Sequence, residues 1–326
     1  MVPRITWAMH LAVLAAVAAM VAMAPAAERS SRRRNKKPAK PPAKGVKTAK
    51  GGPKRLEKAP NVYELMKRYE ARQYNSVYGA LPYRLLKPQG YVPSRRYPLV
   101  VCLHGVPGRG KDNALQLGCT VPAAVLARPD MQKRYPAFVM APQSPTWWGD
   151  APYGTKPTPG GRMSKKSPPM MSMLLDGIEA LTGVFGIDPN RVYVTGHSMG
   201  GFGAFNALRS DPNMFAAAVI AGGGGDPNEA YRYRHVPVWV FCGAKSPILH
   251  YSQNMVLGIK KVMGKVNFTV IPDAAHQCWS QVYDSQATWD WLFAQRRVWP
   301  RPVLTTWPTT VPATLPATRP SASPRE

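Results

Sequence analysis

The sequence has few acidic residues and no paired metal-ligand pattern. It contains 17 Asp and Glu against 43 Lys and Arg, so its formal net charge is +26. That balance favours contact with polyanions or anionic surfaces. No C-x-x-C pair and no H-E-x-x-H pattern occur, so we expect no zinc site and no other metal. Internal repeats are also lacking, while a hydrophobic fraction of 45% excludes wholesale disorder.

The cysteines are few, and their number is even. Cys102, Cys119, Cys242 and Cys278 permit two disulfides in an exported protein, by three possible connectivities. Cys102 lies inside an apolar run, for which a buried free thiol is the ordinary interpretation.

The first 27 residues have the pattern of a secretory signal. An apolar run from Ile5 to Met23 follows Arg4 and ends in small residues, so cleavage after Ala26 or Ala27 is expected. A secreted or periplasmic protein is therefore predicted. The alternative is an uncleaved membrane anchor, because the run is nearly long enough to span a bilayer and the basic cluster after it favours a cytoplasmic C-terminal side.

Two further segments have no core-forming pattern. Residues 28–60 are rich in Lys, Arg, Pro and Ala, and residues 300–326 are rich in Pro and Thr; both are predicted to be flexible. Positions 28–58 hold 13 of the basic residues and 2 of the acids. This stretch is a candidate for binding an anionic polymer or a membrane surface by charge alone, or it is a solvated linker. It has no interleaved aromatics, so no specific nucleic-acid partner is expected.

Residues 61–299 are predicted to form one α/β domain. Short apolar runs without alternation are separated by helical patterns, which indicates a mostly parallel sheet with helices on both faces. One or two antiparallel strands are expected between Tyr74 and Leu86, and a long loop between Pro142 and Pro169. The later strands are predicted at Tyr97–Leu103, Ala137–Ala141, Arg191–Thr195, Phe215–Ile220, Val236–Cys242 and Val266–Ile271, with helices near 170–184, 199–209, 251–263 and 285–296.

The pentapeptide Gly196-His197-Ser198-Met199-Gly200 matches the G-x-S-x-G pattern of a nucleophile elbow. A predicted strand precedes it and a predicted helix follows it, which is the context that the pattern requires. Glycines on both sides of Ser198 remove side chains that would collide in so sharp a turn. A helix that begins directly after the serine would aim the Met199 N–H at an oxyanion.

A second oxyanion donor is expected after the strand that ends in Leu103. The N–H of Val106, which follows His104-Gly105, is the candidate. The same stretch, Gly105 to Lys111, also fits the G-x-x-x-x-G-K core of a phosphate-binding loop. The next residue is Asp112 rather than Ser or Thr, so the Mg²⁺-binding hydroxyl is replaced by an anion and nucleotide binding is disfavoured.

A general base is expected after the last strand, because the histidine follows the nucleophile and the acid in this chain order. His276 lies there, and it is the candidate base. Trp147 and Trp148, with Tyr153, lie in the long predicted loop and are candidates for an aromatic or acyl-binding wall; scattered surface aromatics are the alternative.

These motifs resemble the α/β-hydrolase superfamily, and in particular its bacterial phospholipase/carboxylesterase group, which includes dienelactone-hydrolase-like and polyhydroxybutyrate-depolymerase-like esterases. The resemblance implies an α/β-hydrolase fold with Ser198 as nucleophile, His276 as general base, and the Val106 and Met199 amides as the oxyanion hole. It implies no cofactor. The blocks that carry it are Leu81-Pro82-Tyr83-Arg84, Leu103-His104-Gly105 with Asp112-Asn113, Ala141-Pro142-Gln143, Gly196 to Gly201, Gly222 to Pro227, and His276 with Trp279.

One position departs from that group. After the strand Val236–Cys242 the group usually reads Gly-Ala-Lys-Asp, whereas this chain has Ser246 where the aspartate is expected. A serine accepts a hydrogen bond but carries no charge to stabilise an imidazolium. Asp226 is the first substitute that the sequence offers, although a turn role for it is equally compatible; Glu229 and Asp273 are the others.

The sequence therefore predicts an exported serine hydrolase that cleaves a carboxylic ester through an acyl-enzyme. Because of Ser246, a non-catalytic relative that binds an ester or glycan is the alternative. A serine peptidase is the third interpretation, since no motif selects an ester over an amide.

Overall fold

The structure is a computed structural model that describes residues 61–149 and 169–297. The predicted signal sequence (1–27), basic segment (28–60) and Pro/Thr-rich tail (300–326), together with Tyr153, lie outside the described residues, and the statements about them stay predictions. Within the described ranges, no helix combines the length and the apolar character that crossing a bilayer requires.

The described residues form an eight-stranded sheet. Its strands are β1 (Glu70–Ser76), β2 (Gly79–Leu86), β3 (Tyr97–Leu103), β4 (Phe138–Pro142), β5 (Ile187–His197), β6 (Ala217–Ala221), β7 (Val238–Gly243) and β8 (Val266–Ile271). Their order is β1-β2-β4-β3-β5-β6-β7-β8. β2 pairs antiparallel with β1 and β4, and every pairing from β4 to β8 is parallel. The predicted mostly parallel sheet with antiparallel leading strands is confirmed.

Helices cover both faces of this sheet, as predicted. They are α1 (Val62–Arg68), α2 (Leu115–Cys119), α3 (Val121–Leu126), α4 (Pro129–Arg134), α5 (Met170–Val184), α6 (Met199–Ser210), α7 (Leu249–Lys261), α8 (Trp279–Tyr283) and α9 (Gln286–Ala294). One hydrophobic cluster joins α5, α6 and α7 to one face of the sheet. A second cluster joins α1 to α4, α8 and α9 to the other face.

Two parts of the fold differ from the sequence-based expectation. The four short helices α1 to α4 and helix α8 were not expected, because none exceeds seven residues and so few turns give no readable helical period. Strand β5 is 11 residues long and begins at Ile187 rather than at Arg191.

The cysteines form no disulfide in this fold. All four cysteines are free thiols, and Cys102, Cys242 and Cys278 are buried. The sheet core therefore holds together by apolar burial without a cross-link.

The carboxyl ends of the parallel strands meet at one edge of the sheet. β3 ends at Leu103, β5 at His197, β7 at Gly243 and β8 at Ile271. Loops at that edge are where open α/β sheets carry their sites, and every candidate site residue follows one of these strand ends or that of β4 or β6.

Candidate active site

Ser198 lies in a strained turn between β5 and α6. Its backbone has φ 52° and ψ −123°, a conformation that a residue with a side chain rarely adopts. Glycine is required on both sides: a Cβ on Gly196 would collide with the Gly200 carbonyl, and one on Gly200 would collide with the Leu103 carbonyl. The turn therefore lifts the serine hydroxyl away from the sheet, as the elbow pattern predicts.

The structure brings Ser198 and His276 together. The Ser198 Oγ lies 3.0 Å from Nε2 of His276, although 78 residues separate them in the chain. His276 reaches this position from the loop that follows β8. At this distance a hydroxyl passes its proton directly to an imidazole.

The other nitrogen of the imidazole contacts Ser246. Ser246 lies in the turn that follows β7, and its Oγ is 3.2 Å from Nδ1 of His276. Since Nε2 must accept the Ser198 proton, the competent tautomer carries its hydrogen on Nδ1 and donates it to the Ser246 oxygen. Ser246 is buried, and the Lys245 N–H donates to the Ala274 carbonyl (2.9 Å), which ties this turn to the loop of His276.

None of the three carboxylates that the sequence offers as substitutes hydrogen-bonds to His276. Asp226 caps a short 3-10 helix at Pro227–Tyr233, and its Oδ1 accepts the Asn228 N–H at 2.9 Å. Glu229 pairs with Arg232 at 3.4 Å, and the largely exposed Asp273 pairs with Lys245 at 2.9 Å. The expectation that Asp226 orients the base is corrected: its carboxylate serves the turn, and Ser246 occupies the position beside the imidazole.

The pKa of His276 is set mainly by its burial. Desolvation lowers the pKa of His276 to about 4, because removal from water disfavours the charged imidazolium. A nearby carboxylate would oppose this shift, and the hydroxyl of Ser246 does not. His276 is therefore neutral at pH 7, as a base must be, but the cation that it forms during proton transfer lacks a charged partner.

The two predicted amide donors begin elements that lie next to each other. The Met199 N–H begins α6, and the Val106 N–H begins a 3-10 turn at Val106–Gly108 after β3. Neither donates a hydrogen bond to another of the described residues. The tight approach of Gly200 to the carbonyls of Leu103 and His104 brings both elements side by side, and the assignment of the two amides to an oxyanion hole stays a prediction.

The phosphate-loop match at Gly105 to Lys111 does not form such a loop. A 3-10 turn of three residues follows β3 there instead of a helix. Asp112 accepts the N–H groups of Ala114 and Leu115 at 2.8 and 3.0 Å, and so it serves a turn.

Trp148 has a structural position rather than the predicted place in a substrate wall. It is 2% exposed, and its indole N–H donates to the His104 carbonyl at 3.0 Å. Its own carbonyl accepts the Asn206 side-chain amide at 2.9 Å. Trp148 thus joins the oxyanion segment after β3 to helix α6. Trp147 is half-buried and packs against the same core cluster; it remains the candidate for the wall.

Two further histidines, which the sequence analysis did not single out, lie beneath the site. His104 accepts the Ser144 N–H at 3.0 Å through Nε2, and its Nδ1 contacts the Gly105 carbonyl at 2.7 Å. His197 packs 4.7 Å from Trp279. Burial lowers the pKa of His104 to about 4 and that of His197 to about 3. His197 directly precedes Ser198, and His104 directly precedes Gly105. These positions in the sequence were the signal that could have pointed to them.

Comparisons with known proteins give one family model and several related structures. Residues 170–240 match the model of the prolyl oligopeptidase family. A search of curated protein sequences gave no match. Among solved structures, the chain is similar to a thermostable esterase at 33% identity and a TM-score of 0.64, with coverage of 72% of this chain and 64% of that chain. The chain thus spans just under two thirds of that esterase.

More distant structures share the fold. A ferulic acid esterase aligns at 16% identity with a TM-score of 0.51, covering 69% of this chain and 95% of that chain. The dipeptidyl peptidase 4 of Porphyromonas gingivalis aligns at 12% identity with a TM-score of 0.52, covering 70% of this chain and 35% of that chain. Both an esterase and a peptidase therefore share this fold.

Proposed function

Because the chain belongs to the α/β-hydrolase superfamily, we propose that it is an active serine hydrolase that cleaves carboxylic esters through an acyl-enzyme. The observation that carries the proposal is the 3.0 Å contact between the Ser198 Oγ and Nε2 of His276, which is made at the strained turn of the elbow. The thermostable esterase at 33% identity supports an ester rather than an amide as the bond cleaved.

The mechanism follows from this geometry. Ser198 attacks the ester carbonyl while His276 takes the hydroxyl proton at Nε2, and the Val106 and Met199 amides hold the oxyanion of the tetrahedral intermediate. Its collapse expels the alcohol, which takes the proton from His276. Water then attacks the acyl-enzyme and gives a proton to His276. When this second intermediate collapses, Ser198 takes that proton from His276 and the acid is released. No cofactor enters these steps.

The decisive test is covalent labelling of Ser198. A fluorophosphonate probe is expected to label the full chain but not Ser198→Ala, and ester turnover is expected to disappear in the same variant. Ser210→Ala, at the exposed end of α6, is the matched control and should keep both properties. Unchanged ester turnover in Ser198→Ala would remove Ser198 from the mechanism.

The alternative of a non-catalytic binder has its own observation, the uncharged partner of His276. It predicts a folded protein that binds an ester or glycan but that no fluorophosphonate labels at Ser198. Labelling and turnover together reject this alternative.

The peptidase alternative is favoured by the match to the prolyl oligopeptidase family over residues 170–240. An ester and an amide with the same acyl group distinguish the two activities. For an esterase, we expect kcat/KM to be higher for the p-nitrophenyl ester than for the p-nitroanilide. The ratio of the two values should exceed the ratio of their rates of alkaline hydrolysis. A preference for the anilide would assign the chain to the peptidases.

We also propose that the enzyme is exported, and that positions 28–58 associate with an anionic surface or polymer. The pattern of residues 1–27 and the basic composition of the segment support this. Sequencing the amino terminus of the protein from its native cells tests export, with cleavage after Ala26 or Ala27 expected.

A further inference from the structure

Strand β8, at the edge of the sheet, is poorly covered compared with the inner strands. Every residue of β3, β4 and β6 is buried, whereas no residue of β8 is. Its residues alternate between the faces: Val266 and Phe268 lie on the face of α5 to α7, and Thr269 and Ile271 lie with Trp239 and Phe241 on the face of α9. Among the described residues, therefore, part of the cover of β8 is missing.

The uncovered surface includes a groove of 430 Å³ beside α8 and α9. We call it the β7–β8 groove; its lining includes Trp239, Phe241, Thr269, Ile271, Gln281 and Ala287. The register, which pairs Phe241 with Thr269, places these strand residues on the face that carries α9. No lining residue is charged, so the groove suits an apolar occupant.

The floor of the groove is held in place before any occupant arrives. Trp239 stacks on Phe241 at 4.8 Å and contacts Trp291 of α9 edge-on at 5.3 Å. Its indole N–H donates to the Thr269 hydroxyl at 3.0 Å. Because the polar atom of Trp239 is satisfied within the protein, its open surface offers only apolar contact.

The chain leaves the described residues beside one end of this groove. The Arg297 N–H donates to the Asn190 carbonyl at 2.9 Å. Residues 295–297 line a small hollow together with Pro237 and Lys265, which directly precede β7 and β8. The exit point is therefore at the amino-terminal edge of the sheet, where β5, β7 and β8 begin.

The residues that follow have the composition and the reach to fill it. Positions 298–307 contain Val298, Trp299, Val303, Leu304 and Trp307 and one charged residue. Ten residues lead from Arg297 to Trp307, a reach of up to ~33 Å. The six residues of β8 span only ~20 Å, so the segment passes the whole strand.

We propose that residues 299–307 of the same chain pack along the β7–β8 groove and bury Trp299 and Trp307 against Trp239 and Ile271. The segment is tethered at the groove, so its effective concentration there is high. A second copy of the chain is a poorer occupant, because it has no tether and reaches the groove only at its concentration in solution.

The test uses the full chain with Trp299→Ser and Trp307→Ser combined. We expect the melting temperature to fall by at least about 4 °C, and backbone amides of β7 and β8 to exchange several-fold faster with deuterium. Leu315→Ser, in the same tail but beyond the segment, is the matched control and should change neither quantity.

A second variant tests the groove itself. Ala287→Arg places a charge on the exposed surface of α9 that lines the groove, and it is expected to reproduce the faster exchange. Combined with the two tryptophan substitutions it should add little further, because both changes remove one contact. Unchanged melting and exchange in the tryptophan variant would overturn the proposal. So would light scattering that shows a dimer which Ala287→Arg dissociates, since a second copy would then fill the groove.

Discussion

The Ser246 hydroxyl lies 3.2 Å from Nδ1 of His276, on the side of the imidazole opposite Ser198. A neutral hydroxyl thus occupies the place where the resembling esterase group has a carboxylate. It fixes the tautomer and the orientation of the ring by a hydrogen bond, but it offers no charge to the imidazolium. His276 therefore contacts a hydroxyl through each of its ring nitrogens, and neither partner carries a charge.

Ser246→Asp is expected to raise kcat for ester hydrolysis by about 10-fold or more, since an oriented carboxylate stabilises the imidazolium and its loss in a serine protease costs about 10⁴. Ser246→Ala is expected to lower kcat about 3- to 10-fold, because the ring loses its orienting partner. Steady-state kinetics with a p-nitrophenyl ester measures both. Asp226→Asn is the control, and it should leave kcat unchanged because that carboxylate caps a turn. A large loss in Asp226→Asn would return it to the mechanism.

The pH dependence of kcat/KM reports the proton affinity of the free base. His276 must be neutral to accept the Ser198 proton, and its pKa is lowered to about 4 by burial. Activity is therefore expected to persist on acidification well below pH 6.5 and to fall only near pH 4. In Ser246→Asp, the new anion raises that pKa, and the acid limb moves to higher pH. An acid limb near pH 6.5 in the unchanged protein would contradict this account of the site.

Trp148→Phe is expected to lower kcat about 10-fold, because the oxyanion segment loses the indole hydrogen bond to the His104 carbonyl and misplaced donors stabilise the transition state less. Trp239→Phe is the control: its indole also donates one hydrogen bond, to the Thr269 hydroxyl at 3.0 Å, between β7 and β8. Both variants should lose similar thermal stability, but only Trp148→Phe should lose kcat. If both variants lost kcat equally, the loss would reflect general destabilisation of the fold and not displacement of the oxyanion donors.

Acidification is expected to destabilise the fold through its buried histidines. Burial lowers the pKa of His104 and His276 to about 4 and that of His197 to about 3. In the unfolded chain the histidines have their ordinary pKa of about 6.5. Between pH 6.5 and 4 the unfolded chain therefore binds more protons than the native state, and the free energy of unfolding decreases as the pH is lowered. The melting temperature should therefore decrease steadily from pH 7 to pH 5. His197→Gln should reduce the slope, and an unchanged slope would show that His197 is already protonated in the native state.

The sequence by itself determined the sheet and the nucleophile. The runs Tyr97–Leu103 and Val266–Ile271 predicted β3 and β8 to the residue; β3 is apolar along its length because a parallel strand inside the sheet is covered on both faces. The glycines around Ser198 predicted the elbow, since the turn has no room for side chains there. These features are local, and a linear pattern records them.

Only the tertiary structure decided which groups meet across the sheet edge. Ser246 and His276 are 30 residues apart. The family pattern marks position 246 as the place of the partner, but the serine there made Asp226 the first substitute, and only the folded loops show which side chain contacts the imidazole. The burial of Trp148 under His104 was equally hidden, because an aromatic residue in a predicted loop has the same sequence signature at the surface and in the core. Contacts between separate loops depend on how the strands place their ends, and that arrangement exists only once the sheet has formed.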